Sequence, residues 1–160
     1  MEEEAIIVGT AQSSVHRSGA LASRLIDGKG LDGKWSSRGC AETDEYSGTS
    51  IEWFSLELQV SKKITRVQIA NRMRCCLERG KNIRITIGPS NDYDPSEPLC
   101  LPEIPQLVNK PGLQDYVCLG DLQGKFVKIS RAGKINLCEV KVFTDEGKYM
   151  RNSSCMRDSD

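Results

Sequence analysis

Between Asn71 and Arg79 the chain reads Asn-Arg-Met-Arg-Cys-Cys-Leu-Glu-Arg, which sets three arginines around two adjacent thiols. A guanidinium is a planar fork of N–H donors suited to oxygen-rich ligands. Adjacent cysteines bond to each other only at a cost, because consecutive Cα atoms lie about 3.8 Å apart, below the usual disulfide window of about 4.4–6.8 Å. Where they do bond, the small ring offers a rigid, apolar, polarizable face. Beside guanidinium donors such a face suits a sugar, with hydroxyls on the arginines and a deoxy methyl or ring face on the sulfurs. Without the cysteines, Arg72, Arg74 and Arg79 describe a solvated loop pairing with Glu78 and other acids.

The remaining cysteines set the environment in which that chemistry would operate. Seven cysteines stand at 40, 75, 76, 100, 118, 138 and 155 with no Cys-x-x-Cys pair, and His16 is the only histidine, so the pattern is a poor match to zinc. Six cysteines through the body suit three disulfides, which persist in oxidising compartments, so the expected location is extracellular, with Cys155 left over. Free thiols in a reducing compartment are the alternative. Met1-Glu2-Glu3-Glu4 lacks the basic and apolar regions of a signal peptide, which agrees with that alternative unless the segment is the start of a mature chain.

The 22 Lys and Arg balance 22 Asp and Glu, giving no global drive toward nucleic acid or anionic membrane. No apolar run approaches the roughly 18 residues that cross a bilayer. A single histidine, with no nucleophile elbow, metalloprotease motif or paired-carboxylate signature, argues for binding over catalysis. His16 itself falls in the loop before Asp27, within reach of a binding mouth.

The elements that must hold these residues have the period of strands. Phe54, Leu56, Leu58 and Val60 alternate with polar residues, as do Ile83, Ile85 and Ile87, then Cys138, Val140 and Val142, which predicts one buried and one wet face per strand. Val67 and Ile69, Ile6-Ile7-Val8 and Phe126-Val127-Lys128-Ile129 bring the expectation to at least six strands of a sandwich or barrel. Residues 20–26 carry one helical turn stopped by Asp27-Gly28. Pro89 to Pro111 is proline-rich and reads as a loop tied down by Cys100 and Cys118. One domain over 1–144 is expected, followed by a polar tail over 145–160 that contains the sequon Asn152-Ser153-Ser154.

The pieces Ala11-Gln12-Ser13-Ser14, Leu25-Ile26-Asp27-Gly28, Gly39-Cys40, Glu52-Trp53-Phe54-Ser55-Leu56, the Asn71–Arg79 block, Ile85-Thr86-Ile87-Gly88 and Leu137-Cys138-Glu139-Val140-Lys141-Val142 occur in this order. Over about residues 5 to 143 the chain resembles the F-type lectins, also called fucolectin or tachylectin-4/pentraxin-1-like domains. The resemblance implies an all-β fold, a discoidin-like β-sandwich jelly roll with three intradomain disulfides: Cys40–Cys138, Cys75–Cys76 and Cys100–Cys118. Closing about 100 residues would restrict the unfolded chain by roughly 4–5 kcal/mol and closing about 20 by roughly 3. The adjacent pair closes no loop worth counting, so its presence would argue for function.

The resemblance also implies a sugar site in which Arg72 and Arg79 donate to hydroxyls, Cys75 and Cys76 form the apolar platform, and Trp35 supplies an aromatic contact. Two positions depart from the family pattern. Glu42 stands where the family has histidine, and Arg74 where it has aspartate. The glutamate can accept from hydroxyls or pair with Arg72 or Arg79, while Arg74 adds positive charge that favours a sulfated or otherwise acidic glycan. A structural calcium is implied on the carboxylates of Asp27 and Glu139 and the carbonyls of Arg24, Lys29, Gly39 and Cys138, a hard-oxygen set. The expected partners are fucosylated or related glycans, bound by a homo-oligomer or tandem array. An adhesion or protein-interaction domain of the same fold is the second expectation, and membrane-surface binding the third.

Overall fold

The structure is a computed structural model that describes residues 1–16, 19–34, 39–44 and 51–145. Trp35, the sequon, Cys155 and the rest of the tail lie outside the described residues. The described chain folds into nine strands, β1 (Glu2–Glu4), β2 (Ile7–Gln12), β3 (Ala41–Glu42), β4 (Ile51–Asn71), β5 (Lys81–Gly88), β6 (Ile104–Gln106), β7 (Gln114–Val117), β8 (Gln123–Ala132) and β9 (Asn136–Asp145). The helical expectation becomes a single 3-10 turn, Ala22–Ile26.

All the strand ladders are antiparallel, and β4 joins the two halves of the sandwich. Its first part, Ile51 to Leu58, pairs with β2 and β8, and the β8 ladder resumes at Lys62 and Lys63. Its second part, Lys63 to Asn71, pairs with β9 and β7. Between them the ladder to β8 shifts register, and Gln59, Val60 and Ser61 are exposed. Val60 therefore does not extend the buried stripe of Phe54, Leu56 and Leu58, because the ladder to β8 is interrupted there and shifts register before it resumes. A further irregularity between Ile64 and Arg66 moves the buried face from Ile64 to Val67 and Ile69, since an extra residue inverts the two-residue period.

One apolar cluster fills the space between the layers. Phe54, Leu56, Ile64, Ile69, Ile83, Ile85 and Ile129 are all but inaccessible to solvent, each contributing about 1.5–3 kcal/mol by burial. The three expected disulfides are present. Cys100–Cys118 ties the proline-rich stretch, where Cys100 donates its backbone N–H to the Ile85 carbonyl and Leu119 donates to the Cys100 carbonyl. That stretch contains β6, so it is not wholly loop.

On β9 the alternation holds for Val140 and Val142 but fails at Glu139, which is 3% exposed rather than on a wet face. The start of β9 is covered on its second side by the segment around the 3-10 turn and by β3, where Cys40, Ala70 and Cys138 pack together. The opposite layer has a similar exception. Lys128 points away from the core but is fully buried, because the loop after β5 folds over it. Its Nζ donates to the Asp92 carbonyl and, at 2.8 Å, to Glu97 Oε1.

Removing one partner of a buried ion pair leaves a charge without its counter-charge, at a cost of about 3–5 kcal/mol. Glu97→Ala should lower the unfolding free energy by about 3 kcal/mol in urea titration. A change below about 1 kcal/mol would contradict this account of the loop.

Candidate functional site

Local backbone geometry shapes the Asn71–Arg79 block. Asn71 ends β4, and its Oδ1 accepts the Arg72 backbone N–H at 2.9 Å. The Met73 N–H donates to the Gly33 carbonyl at 2.8 Å. Gly33 has φ +74°, and a Cβ there would lie 2.5 Å from the Asn71 carbonyl oxygen, so only glycine admits this approach. Arg74 and Cys76 both take left-handed backbone, φ 66° and 67°, a conformation that costs a side-chain-bearing residue on the order of 1–3 kcal/mol. These reversals fold the bonded Cys75–Cys76 pair into a compact knuckle. A 3-10 turn, Leu77–Gly80, follows, with the Arg79 N–H donating to the Cys76 carbonyl at 3.0 Å.

Arg72 and Arg79 converge on β9. Asn136 Oδ1 accepts from Arg72 Nη1 at 3.0 Å and from Arg79 Nη1 at 2.7 Å, while Asn136 Nδ2 donates to the Ala41 carbonyl at 3.1 Å. Glu42 lies opposite Asn136 in the β3–β9 register. Its buried carboxylate accepts from Arg79 Nη1 at 2.7 Å, faces Lys134 Nζ at 3.0 Å and His16 Nδ1 at 3.3 Å. Its backbone is equally held, with its N–H donated to the Ala20 carbonyl and its carbonyl accepting from Gln12 Nε2.

The electrostatics are those of a crowded cationic hollow around one acid. Burial holds the Arg72 guanidinium below its ordinary pKa, Glu42 opposes that shift, and Arg79 adds to it. Arg72 and Arg79 remain partly exposed beside the half-buried disulfide knuckle. Arg74 is exposed and makes no hydrogen bond or ion pair with a described residue, so the structure does not draw it into the cluster. Asn136 and Lys134 are cluster members that the sequence reading missed. One signal could have found Asn136: antiparallel pairing across Cys40–Cys138 sets the residue two after Cys40 against the residue two before Cys138.

A second cluster lies on the other side of that bridge. Glu139 accepts the Gly28 N–H on both oxygens, at 3.0 and 3.2 Å, and Asp27 Oδ1 accepts the Lys29 N–H at 2.9 Å. Burial pushes the Glu139 carboxyl up to about 7, the Gly28 N–H opposes the rise, and the Asp27 charge adds to it. The carbonyls of Cys138 and Gly39 close on Gly30, where a Cβ would stand 2.0 and 2.1 Å from their oxygens. Arg24 extends its guanidinium to the Cys40 carbonyl at 3.2 Å. Among the described residues no three His, Cys, Asp or Glu side chains form a metal-binding group. A cation here would therefore rest on two carboxylates and backbone oxygens, a donor set that fits calcium rather than zinc.

No family model matches the chain. Fucolectin-6 of Anguilla japonica is 29% identical over 149 residues, covering 89% of this chain and 76% of that protein. The fold is similar to that of a fucolectin from serum of the striped bass, Morone saxatilis, with TM-score 0.71 and 26% identity. The match covers 86% of this chain but only 45% of that one. A fucose binding module of Streptococcus pneumoniae aligns with TM-score 0.65 and 27% identity, over 86% of this chain and 93% of the module.

If Glu42 is the counter-charge of this hollow, Glu42→Ala should destabilise the protein by about 3 kcal/mol, whereas Arg74→Ala should stay within about 0.5 kcal/mol. Thermal and urea unfolding of both variants would check this. Equal effects would contradict the separation of the two residues.

Proposed function

Taking the chain as an F-type lectin domain, on its similarity to fucolectins and to a fucose binding module, we propose that it is an extracellular carbohydrate-binding module. Its ligand would be fucose or a related terminal glycan. The supporting observation is the convergence of Arg72 and Arg79 on Asn136 beside the Cys75–Cys76 knuckle. Guanidinium donors held by fixed acceptors lose little freedom when a ligand arrives. The knuckle supplies an apolar, polarizable surface for a methyl group or the face of a ring. Glu42, held by Arg79 and Lys134 and facing His16, would act mainly to position Arg79 rather than to donate to the sugar, since a carboxylate has no donor. Three disulfides fit the extracellular setting, and a second site in an oligomer or tandem array would raise weak single-site affinity.

One observation favours a second reading. Arg79 already donates to Glu42, which suits a protein-interaction domain that keeps the fold and no longer takes fucose. A glycan array separates the two. The lectin reading expects selective signals on terminal fucosylated structures that fall at least tenfold in Arg79→Ala, in line with the loss of a charge-assisted contact. A blank array from folded protein would favour the interaction domain.

Asp27 and Glu139 are proposed to hold calcium, with backbone oxygens of Arg24, Lys29, Gly39 and Cys138 completing the shell. Support comes from the carboxyl of Glu139, which burial raises to about 7 and which a divalent cation would stabilise as the anion. Calcium at 100 times its Kd should add about 2.7 kcal/mol of stability. Differential scanning calorimetry should show a rise of several degrees with calcium, reversed by chelator and absent in Glu139→Gln. An unchanged wild-type melting temperature would remove calcium from this account.

A further inference from the structure

Beyond the arginine hollow, a groove of about 430 Å³ runs along the outer face of β5 and β8, bounded by the loop that covers Lys128. This is within the size range of small-molecule sites, about 300–1,000 Å³. Ser130 and Arg84 are cross-strand partners in its floor. Ile129 and Ile85 beside them point into the core, so the two-residue period turns Ser130 and Arg84 toward the groove. Ser130 is 1% exposed, and its Oγ has no hydrogen-bond partner. Arg84 is half-buried, and its side chain makes no hydrogen bond or ion pair among the described residues. Tyr93 brings an aromatic ring to the wall.

Arg131 connects this groove to the first site. It lines the groove while donating from Nη1 to the Lys134 carbonyl and from Nε to the Lys81 carbonyl. Lys134 in turn reaches Glu42. Burial lowers the Arg131 pKa, and the charges of Glu78 and Arg79 both register at it. Arg131 and Lys134 thus link the groove to the arginine hollow. Its charged lining is two arginines and Glu103, which is exposed at the rim, where water and salt screen it.

We propose that this groove is a second subsite for an anionic saccharide unit, sulfated or carboxylated, on a glycan whose terminal sugar occupies the Arg72–Arg79 site. The proposal rests on the carbohydrate-binding reading above. Arg84 pairs with the anion, the Ser130 hydroxyl donates to it, and Tyr93 stacks on the sugar ring. Net positive charge in a partly desolvated groove selects an acidic extension over a neutral one of the same size.

Isothermal titration calorimetry on the full chain with one fucosylated tetrasaccharide in neutral, sulfated and sialylated forms tests it, the two acidic forms distinguishing sulfate from carboxylate. At least one acidic form should bind the wild type about tenfold tighter than the neutral form, as a charge-assisted contact allows. Arg84→Gln should abolish that preference and leave neutral-form affinity unchanged. Ser130→Ala, which removes the hydroxyl that donates to the anion and is read the same way, covers the case in which Arg84→Gln does not fold. Neutral binding with no acidic preference in the wild type, or a preference surviving both substitutions, overturns the subsite and leaves the lectin reading intact. Binding of none of the three forms overturns both.

Discussion

The antiparallel pairing of β3 with β9, clamped by Cys40–Cys138, is the constraint on which both candidate sites depend. β3 has only two residues, too few to hold a register by hydrogen bonds alone. A bridge across 98 residues of sequence supplies what those bonds lack, roughly 4–5 kcal/mol by loss of unfolded-chain entropy. On one side of it Glu42 meets Asn136 and the arginines gather. On the other, Glu139 lies beneath Gly28, and the carbonyls of Cys138 and Gly39 close on Gly30.

The two clusters treat buried charge differently. Glu42 is compensated by Arg79 and Lys134, so its desolvation is offset by two close cationic partners. Glu139 has backbone N–H contact but no cation hydrogen-bonded to it among the described residues, and its carboxyl is accordingly displaced upward. Each arrangement costs stability that apolar side chains of the same volume would not, which makes sense where a charge must be held in one place for a ligand. Cys75–Cys76 belongs with them. It restrains almost no chain, and Cys76 within it and Arg74 beside it sit in left-handed backbone.

Much of the fold was legible because short-range alternation reports which face of a strand is dry. Ile83, Ile85 and Ile87 and the β9 valines are buried as that pattern requires. It failed where a ladder is interrupted or where a second segment covers a strand's outer face. Val60 lies where the β4–β8 ladder is interrupted, Glu139 lies under the segment around the 3-10 turn, and Lys128 lies under the loop after β5. The edge strands β1 and β7 were not read at all, since Glu2-Glu3-Glu4 and Gln114-Asp115-Tyr116-Val117 carry little apolar periodicity. Asn136 and Lys134 were invisible for another reason: neither stands out chemically until Glu42 and the arginines are placed against them.

What the sequence by itself determined is what covalent order and local chemistry carry. The adjacent thiols, the arginines flanking them, the strand period and the resemblance in motif order all follow from residues close together along the chain. Only the tertiary structure decided that Glu42 engages Arg79, that Arg74 stays in solvent, that Asn136 joins the two arginines, and that Ser130 and Arg84 line a groove adjoining the same hollow. Those relations span tens of residues, and their distances are set by strand register and by which faces the layers bury. A register shift of one residue would turn Glu42 from the arginines to the opposite face, and no local pattern in the chain records that choice.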